Sequence, residues 1–115
     1  MPDFRSVGRE AEDKAAAYLL SIGYTPVTRR YTVKGGEIDL IVLDGETLVF
    51  VEVKQRDGRG LTPEASVDRK KTERLAVAAE TYMLAMGEKR DIRFDLVAID
   101  PSGLRHHQDF FRPGL

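Results

Sequence analysis

Cysteine is absent from the 115 residues, which excludes disulfides and thiolate metal sites and fits a reducing compartment. Also missing is any run near the roughly 18 consecutive apolar residues that a membrane helix needs, so no membrane association is expected. The opening Met1-Pro2-Asp3-Phe4-Arg5 lacks the basic-then-apolar layout of a secretory signal, and the expected location is the cytoplasm. A charge excess is lacking too. The net charge is −1 and the isoelectric point about 6.1, unlike the basic balance usual in nucleic-acid binders. Balanced totals still leave room for a local patch. Repeats, low-complexity tracts and long linkers are likewise missing, so residues 1–115 are expected to form one domain. What is present, 42% hydrophobic and 32% charged residues, suits a globular chain with a real core.

Apolar periodicity orders the chain. Val7, Ala11, Tyr18, Leu19 and Ile22 recur at helical spacing, predicting a helix over about Ser6 to Ile22 that stops at Gly23. Tyr24 to Thr32 is rich in β-formers, and Pro26 pushes that strand to an edge. Two apolar runs, Glu37 to Leu43 and Glu46 to Lys54, flank Asp44-Gly45, a strong hairpin signal. Gly58 and Gly60 mark residues 55–62 as a loop. A second helix begins between Pro63 and Arg69, capped by Thr62 or Asp68, with Leu75, Ala79, Tyr82, Met83 and Met86 as its stripe and Gly87 as its end. Ile92 to Ile99 is a further strand, and Leu104 to Phe111 a last one after the turn at Pro101-Ser102-Gly103. The order α-β-β-β-α-β-β implies a mixed sheet flanked by helices, an α/β domain.

With Asp44-Gly45 as a two-residue tip, Leu43 faces Glu46, Asp39 faces Phe50 and Glu37 faces Glu52. One face then carries only Ile38, Leu40, Val42, Val49, Val51 and Val53, a core face. The other gathers Glu37, Asp39, Glu52 and Lys54 at the open end of the hairpin. Asp39 and Glu52 become diagonal neighbours with backbones roughly 7–8 Å apart, able to converge on one ion. Clustered acids destabilise a strand pair unless a cation offsets them. Magnesium does so with a few carboxylates plus water, and manganese is an equivalent choice. Lys54 points to the same place, fit to orient or deprotonate a water or to neutralise charge on a phosphorane. The plain alternative is a salt-bridged, solvent-facing sheet end, and geometry leaves both readings open.

Asp39 followed by Glu52-Val53-Lys54 resembles the signature of the PD-(D/E)XK nuclease superfamily, with its restriction-endonuclease-like fold. Ile38 stands where that signature often has proline. Across nearly the whole chain the sequence is similar to the YraN-like family of small bacterial proteins. The shared residues include Gly8 to Glu12, Gly23-Tyr24, Gly36-Glu37-Ile38-Asp39-Leu40-Ile41, Val49 to Lys54, Arg56, Val67, Lys70 and Arg93-Phe94-Asp95. Ala11-Glu12 replaces the usual Gly-Glu, a change a helix tolerates. Archaeal Holliday-junction resolvases have a similar helix-hairpin core.

The resemblance implies a metal-dependent endonuclease acting on DNA, with branched or structured DNA as a candidate substrate. In it Asp39, Glu52 and the Val53 carbonyl hold the ion, Lys54 assists the water, Glu12 approaches the site, and Gln55 supports it. Glu37 is a further supporting acid by its position in the hairpin. Arg29, Arg30, Lys34, Arg56, Arg59, Arg69, Lys70 and Lys71 could supply phosphate contacts, with Arg30, Lys34, Arg56, Arg59, Lys70 and Lys71 the leading candidates. Cutting two strands would suit a homodimer. The competing expectation is an accessory domain that keeps the fold and binds nucleic acid or protein without efficient cleavage. His106 and His107, on opposite strand faces, make a poor metal pair. Arg93 and Asp95 share a face as an expected structural ion pair, with a catalytic Asp95 an outside alternative.

Overall fold

The computed structural model describes the backbone of residues 4–87 and 89–112, with side chains from residue 8 onward. The elements run α1 (Phe4–Ser21), β1 (Thr25–Val33), β2 (Gly36–Asp44), β3 (Thr47–Gln55), α2 (Arg69–Met86), β4 (Ile92–Asp100) and β5 (Gly103–His107). They build one five-stranded sheet in the order β1-β2-β3-β4-β5. All neighbours are antiparallel except β3 and β4, whose parallel pairing requires the crossover that α2 supplies. The expected order and mixed sheet are present. The last strand is shorter than expected, and Phe110 and Phe111 lie beyond it.

Each helix covers one face of the sheet. Ala11, Ala15 and Leu19 of α1 pack on Leu40, Val42, Val49, Val51, Val97 and Ile99. Leu75, Ala78 and Ala79 of α2 pack on Ile38, Ile41, Leu48, Phe50, Phe94, Leu96 and Ala98. The central strands are therefore apolar on both faces away from the open end of the hairpin. The expected α1 stripe is corrected at Ile22, which is 44% exposed and past the helix end. Val7's side chain lies outside the described residues. In α2, Met86 is exposed, while Asp68 is the cap and accepts from the Lys71 N–H at 2.8 Å. Gly87 ends the helix in the left-handed conformation, with φ 65°.

Close approach of α2 to β2 depends on Gly36. A Cβ there would meet the Arg74 carbonyl and lie 2.7 Å from the Ala78 nitrogen, so only glycine admits the helix backbone. This contact seats the first half of α2 over the open end of the hairpin.

The hairpin register is corrected. Asp44 pairs with Thr47, leaving Gly45 (φ 60°) and Glu46 as the turn. Leu43 therefore faces Leu48 rather than Glu46, a shift of two residues. An even shift preserves the side-chain face, so the mistaken tip left most of the faces intact. Extending the pairing one step past Leu40 and Val51 sets Asp39 opposite Glu52 itself. Glu37 is no longer opposite Glu52.

Candidate functional site

Regular pairing of β2 with β3 ends at Leu40 and Val51, and the chain departs from ideal alternation at that point. Ile38 packs in the α2-side core while Leu40 packs in the α1-side core, although residues two apart should share a face. Across the β1–β2 ladder, the residue between Arg29 (opposite Leu40) and Tyr31 (opposite Ile38) is Arg30, with φ 55°. A left-handed arginine inside a strand costs on the order of 1–2 kcal/mol. The local distortion accompanies an Asp39 side chain that reaches across to β3, where Asp39 Oδ2 accepts the Val53 N–H at 2.8 Å. A carboxylate thus replaces a backbone carbonyl in the ladder. Because the N–H and C=O of one strand residue point the same way, the Val53 carbonyl is directed to this side as well.

Glu52 stands next to this gap and is 1% exposed. Its Oε1 lies 3.3 Å from Lys71 Nζ of α2. Its Oε2 is buried with no hydrogen-bond partner. The Asp39 carboxylate is within hydrogen-bonding reach, but two acceptors make no bond unless they share a proton. Burial first, then the charge of Asp39, push the Glu52 carboxyl up to about 8. Burial also raises Asp39, against the pull of the Val53 N–H and Lys71, while the charge of Glu12 adds to the rise. For Lys71 burial works against the charge, but Glu52, Asp39 and Glu37 outweigh it and its value rises.

An open cleft of about 320 Å³ fronts these groups. Its floor is Asp39, Glu52 and Val53, its rim Lys54, Gln55 and Lys71, and α1 closes it with Gly8, Ala11 and Glu12. Larger hollows of about 590 and 470 Å³ lie at the far end of the sheet, by Asp91 and by Met83 and Ile92. Neither adjoins the buried acids.

The expected residues fare differently. Asp39, Glu52, Val53, Lys54, Gln55 and Glu12 all meet in the cleft. Glu12 is tied to Arg30, whose Nε donates to Glu12 Oε1 at 2.9 Å, so Arg30 braces the site rather than standing free for phosphate. Gln55 is exposed at the strand end. Glu37 sits at the side and is held by Lys71 at 3.3 Å. Lys71, expected as a phosphate contact, instead bridges two acids. The start of α2 hints only that anions lie near it, without saying which. Arg69, Lys70 and Lys71 open α2 with no acid in its first turn, an arrangement the helix dipole opposes unless anions lie nearby. Lys34, Arg59 and Lys70 are exposed and Arg56 half-buried, and no side-chain ion pair engages these four among the described residues.

The donor set suits a hard divalent cation. Two carboxylates and a carbonyl facing open space are what magnesium accepts, since it keeps several waters. Among the described residues there is no cage of three or more Asp, Glu, His or Cys. The unpartnered Glu52 oxygen is the observation that such an ion would explain.

Residues 11–99, which carry the whole of this cleft except Gly8, match the uncharacterised protein family UPF0102. The chain belongs to that family. A UPF0102 protein of Cupriavidus taiwanensis is 44% identical over 113 residues, covering 96% of this chain and 86% of its own. One from Thermotoga neapolitana is 41% identical over 100 residues, covering 87% and 92%. Another from Dechloromonas aromatica is 47% identical over 98 residues, covering 81% and 78%. UPF0102 membership agrees with the YraN-like resemblance of the sequence and assigns no activity.

On the opposite side of the sheet, Asp95 is a second fully buried acid. Arg93 donates to both its oxygens at 2.8 and 2.9 Å, His106 Nε2 donates at 2.8 Å, and the Asp109 N–H at 3.0 Å. The expected Arg93–Asp95 ion pair is present, and the bonds to both its oxygens leave Asp95 no free acceptor for a substrate or an ion. His106 is nearly buried, packed edge-on against Tyr18 and Tyr24. His107 turns the other way, to Glu64 at 2.8 Å.

Among the described residues, no helix is long and apolar enough to cross a membrane.

Proposed function

We propose that this UPF0102 protein is a magnesium- or manganese-dependent endonuclease that hydrolyses DNA phosphodiester bonds, with a site of the PD-(D/E)XK type. The observation that carries this reading is the buried Glu52 carboxyl, one oxygen unpartnered, beside half-buried Asp39 at the floor of an open, cation-flanked cleft. Asp39, Glu52 and the Val53 carbonyl would hold the ion. When bound, the ion would stabilise charge on a phosphate oxygen and acidify a water. Lys54, in the cleft without an ion pair among the described residues, is available to orient the attacking water and to neutralise charge developing on the phosphorane. Glu12, fixed by Arg30, keeps a negative charge beside Asp39. Arg56, Arg59, Lys70 and Lys34 would meet the phosphate backbone.

The accessory-domain reading has one observation in its favour. Lys71 already offsets part of the acid charge, which lessens the need for an ion there. A cleavage assay separates the two. Single-stranded, duplex, flapped and four-way-junction DNA are incubated with magnesium or manganese. The nuclease reading expects cleavage by the wild type and its loss in Lys54→Ala and Glu52→Gln, by about a hundredfold or more. Equal cleavage by wild type and variants would show contamination or a different site. DNA binding with no cleavage would establish the accessory role.

A further inference from the structure

Arg69 and Lys70 are exposed at the start of α2, but Lys71 turns inward and is only 31% exposed. Its ammonium stands 3.3 Å from Glu37 Oε1 and 3.3 Å from Glu52 Oε1. Both distances exceed the 2.7–2.9 Å or so of a tight charge-assisted bond, so the ammonium is shared between two acids and fully engaged by neither. It also meets only one oxygen of Glu52, leaving Oε2 without a donor. One positive charge is an incomplete match for three nearby carboxylates: Glu52, Asp39 and Glu37.

We infer that Lys71 is the internal counter-cation of the site, holding the place of a divalent ion in the metal-free protein and leaving Glu52 when the ion enters, which frees its ammonium for a substrate phosphate. This rests on the proposal that Asp39 and Glu52 bind a metal. A divalent ion at Glu52 and an ammonium on the same carboxylate repel strongly in a poorly solvated site. The lysine stem is flexible enough to move its charge outward. Glu37, whose side chain is 39% exposed, lies on the outward path and gives the ammonium a partner nearer solvent. The close approach of α2 to β2 at Gly36 keeps the helix backbone, and with it the lysine backbone, in place while its head moves. Metal loading and phosphate capture are then linked, because the loaded protein offers one more free cation at the cleft rim. Without the ion, the acids keep part of their charge offset by Lys71.

The test is manganese binding, measured by calorimetry on the wild type, Lys71→Met and Lys71→Arg. Methionine keeps the apolar stem and removes the competing charge. Lys71→Met is expected to bind manganese on the order of tenfold more tightly than wild type, the factor equivalent to one released charged contact. Lys71→Arg is expected to stay near wild type. Equal or weaker binding by Lys71→Met overturns the displacement while leaving the metal site standing. Binding by none of the three proteins overturns the metal site and the inference with it. Should Lys71→Met not fold, the wild type answers by itself through lysine acylation followed by mass spectrometry. Labelling of Lys71 relative to its neighbour Lys70 is expected to rise several-fold on adding manganese, and an unchanged or lower ratio overturns the inference.

Discussion

Glu52 and Asp95 sit on adjacent strands, on opposite faces of one sheet, and both are fully buried. Val51, the residue before Glu52, is the ladder partner of Asp95. Their surroundings could hardly differ more. Burial alone would raise Asp95, but His106, Arg93 and the Asp109 N–H outweigh it and hold its carboxyl below the usual range. Arg93 in turn is raised by its bonds to Asp95 and also binds Asp44 and the Tyr24 hydroxyl. Glu52 faces another carboxylate, one long ammonium contact and no donor at Oε2. A buried acid with every oxygen satisfied ties a fold together. A buried acid left short of partners, beside an opening, is arranged for something that arrives later.

Arg93→Met should cut hardest into this contrast. It strips the bidentate donor from a fully buried carboxylate, and urea unfolding should show a loss of about 3–5 kcal/mol. A loss below about 1 kcal/mol would mean that His106 and the Asp109 N–H suffice.

The two acids also give stability opposite slopes with pH. Glu52 has its folded value raised from 4.5 to about 8. The native state therefore keeps a proton that the unfolded chain has lost, and metal-free stability falls as pH rises through that window. The groups facing Glu52 are Asp39 from β2, Lys71 from α2 and Lys54 from its own strand. Asp95 is lowered, so its contribution is present above the ordinary carboxylate range and is lost as pH falls through it. Metal-free stability, followed by the thermal midpoint, should peak near about pH 4–5 and then fall, on the order of a few kcal/mol by pH 8. Glu52→Gln should flatten that decline, and added magnesium should reverse it. A midpoint that climbs steadily to pH 8 would contradict the unsatisfied state of Glu52.

Asp39→Asn is a milder probe. The amide oxygen can still accept the Val53 N–H while the charge facing Glu52 disappears, so metal-free stability should hold or rise by about 1 kcal/mol. Calorimetry should show manganese binding weakened by about ten- to a hundredfold. A marked loss of stability would make Asp39 a strut of the same kind as Asp95. The reference level is the exposed Arg29–Asp13 pair, with side chains 44% and 64% exposed. Arg29→Gln should change stability by less than about 0.5 kcal/mol.

Much of this contrast was legible in the chain itself. Arg93 and Asp95, two apart in a strand, share a face whatever the rest of the molecule does. Asp39 and Glu52 come together because two apolar runs flank one glycine turn. The turn was placed one residue early, since Asp44-Gly45 and Gly45-Glu46 both put glycine at a left-handed position. The period of two made that error harmless for the face but not for the pairing. Three features had no local signature. Ile38 changes sides at the β2 distortion opposite Arg30, and nothing near Ile38 in sequence announces it. Arg30 meets Glu12 across 18 positions. Lys71 meets Glu37 across 34.

The amino-acid sequence therefore determined the elements, the order α-β-β-β-α-β-β, and the hairpin that brings Asp39, Glu52 and Lys54 to one end. Those are consequences of short-range periodicity and turn chemistry, which neighbouring residues specify. Only the tertiary structure decided that Glu52 is buried with one oxygen unpartnered, that Arg30 serves Glu12, and that Lys71 rather than Lys54 is the amine against the acids. Those depend on where α1 and α2 land on the sheet. Landing is set by packing over the whole surface, down to the absence of a Cβ at Gly36.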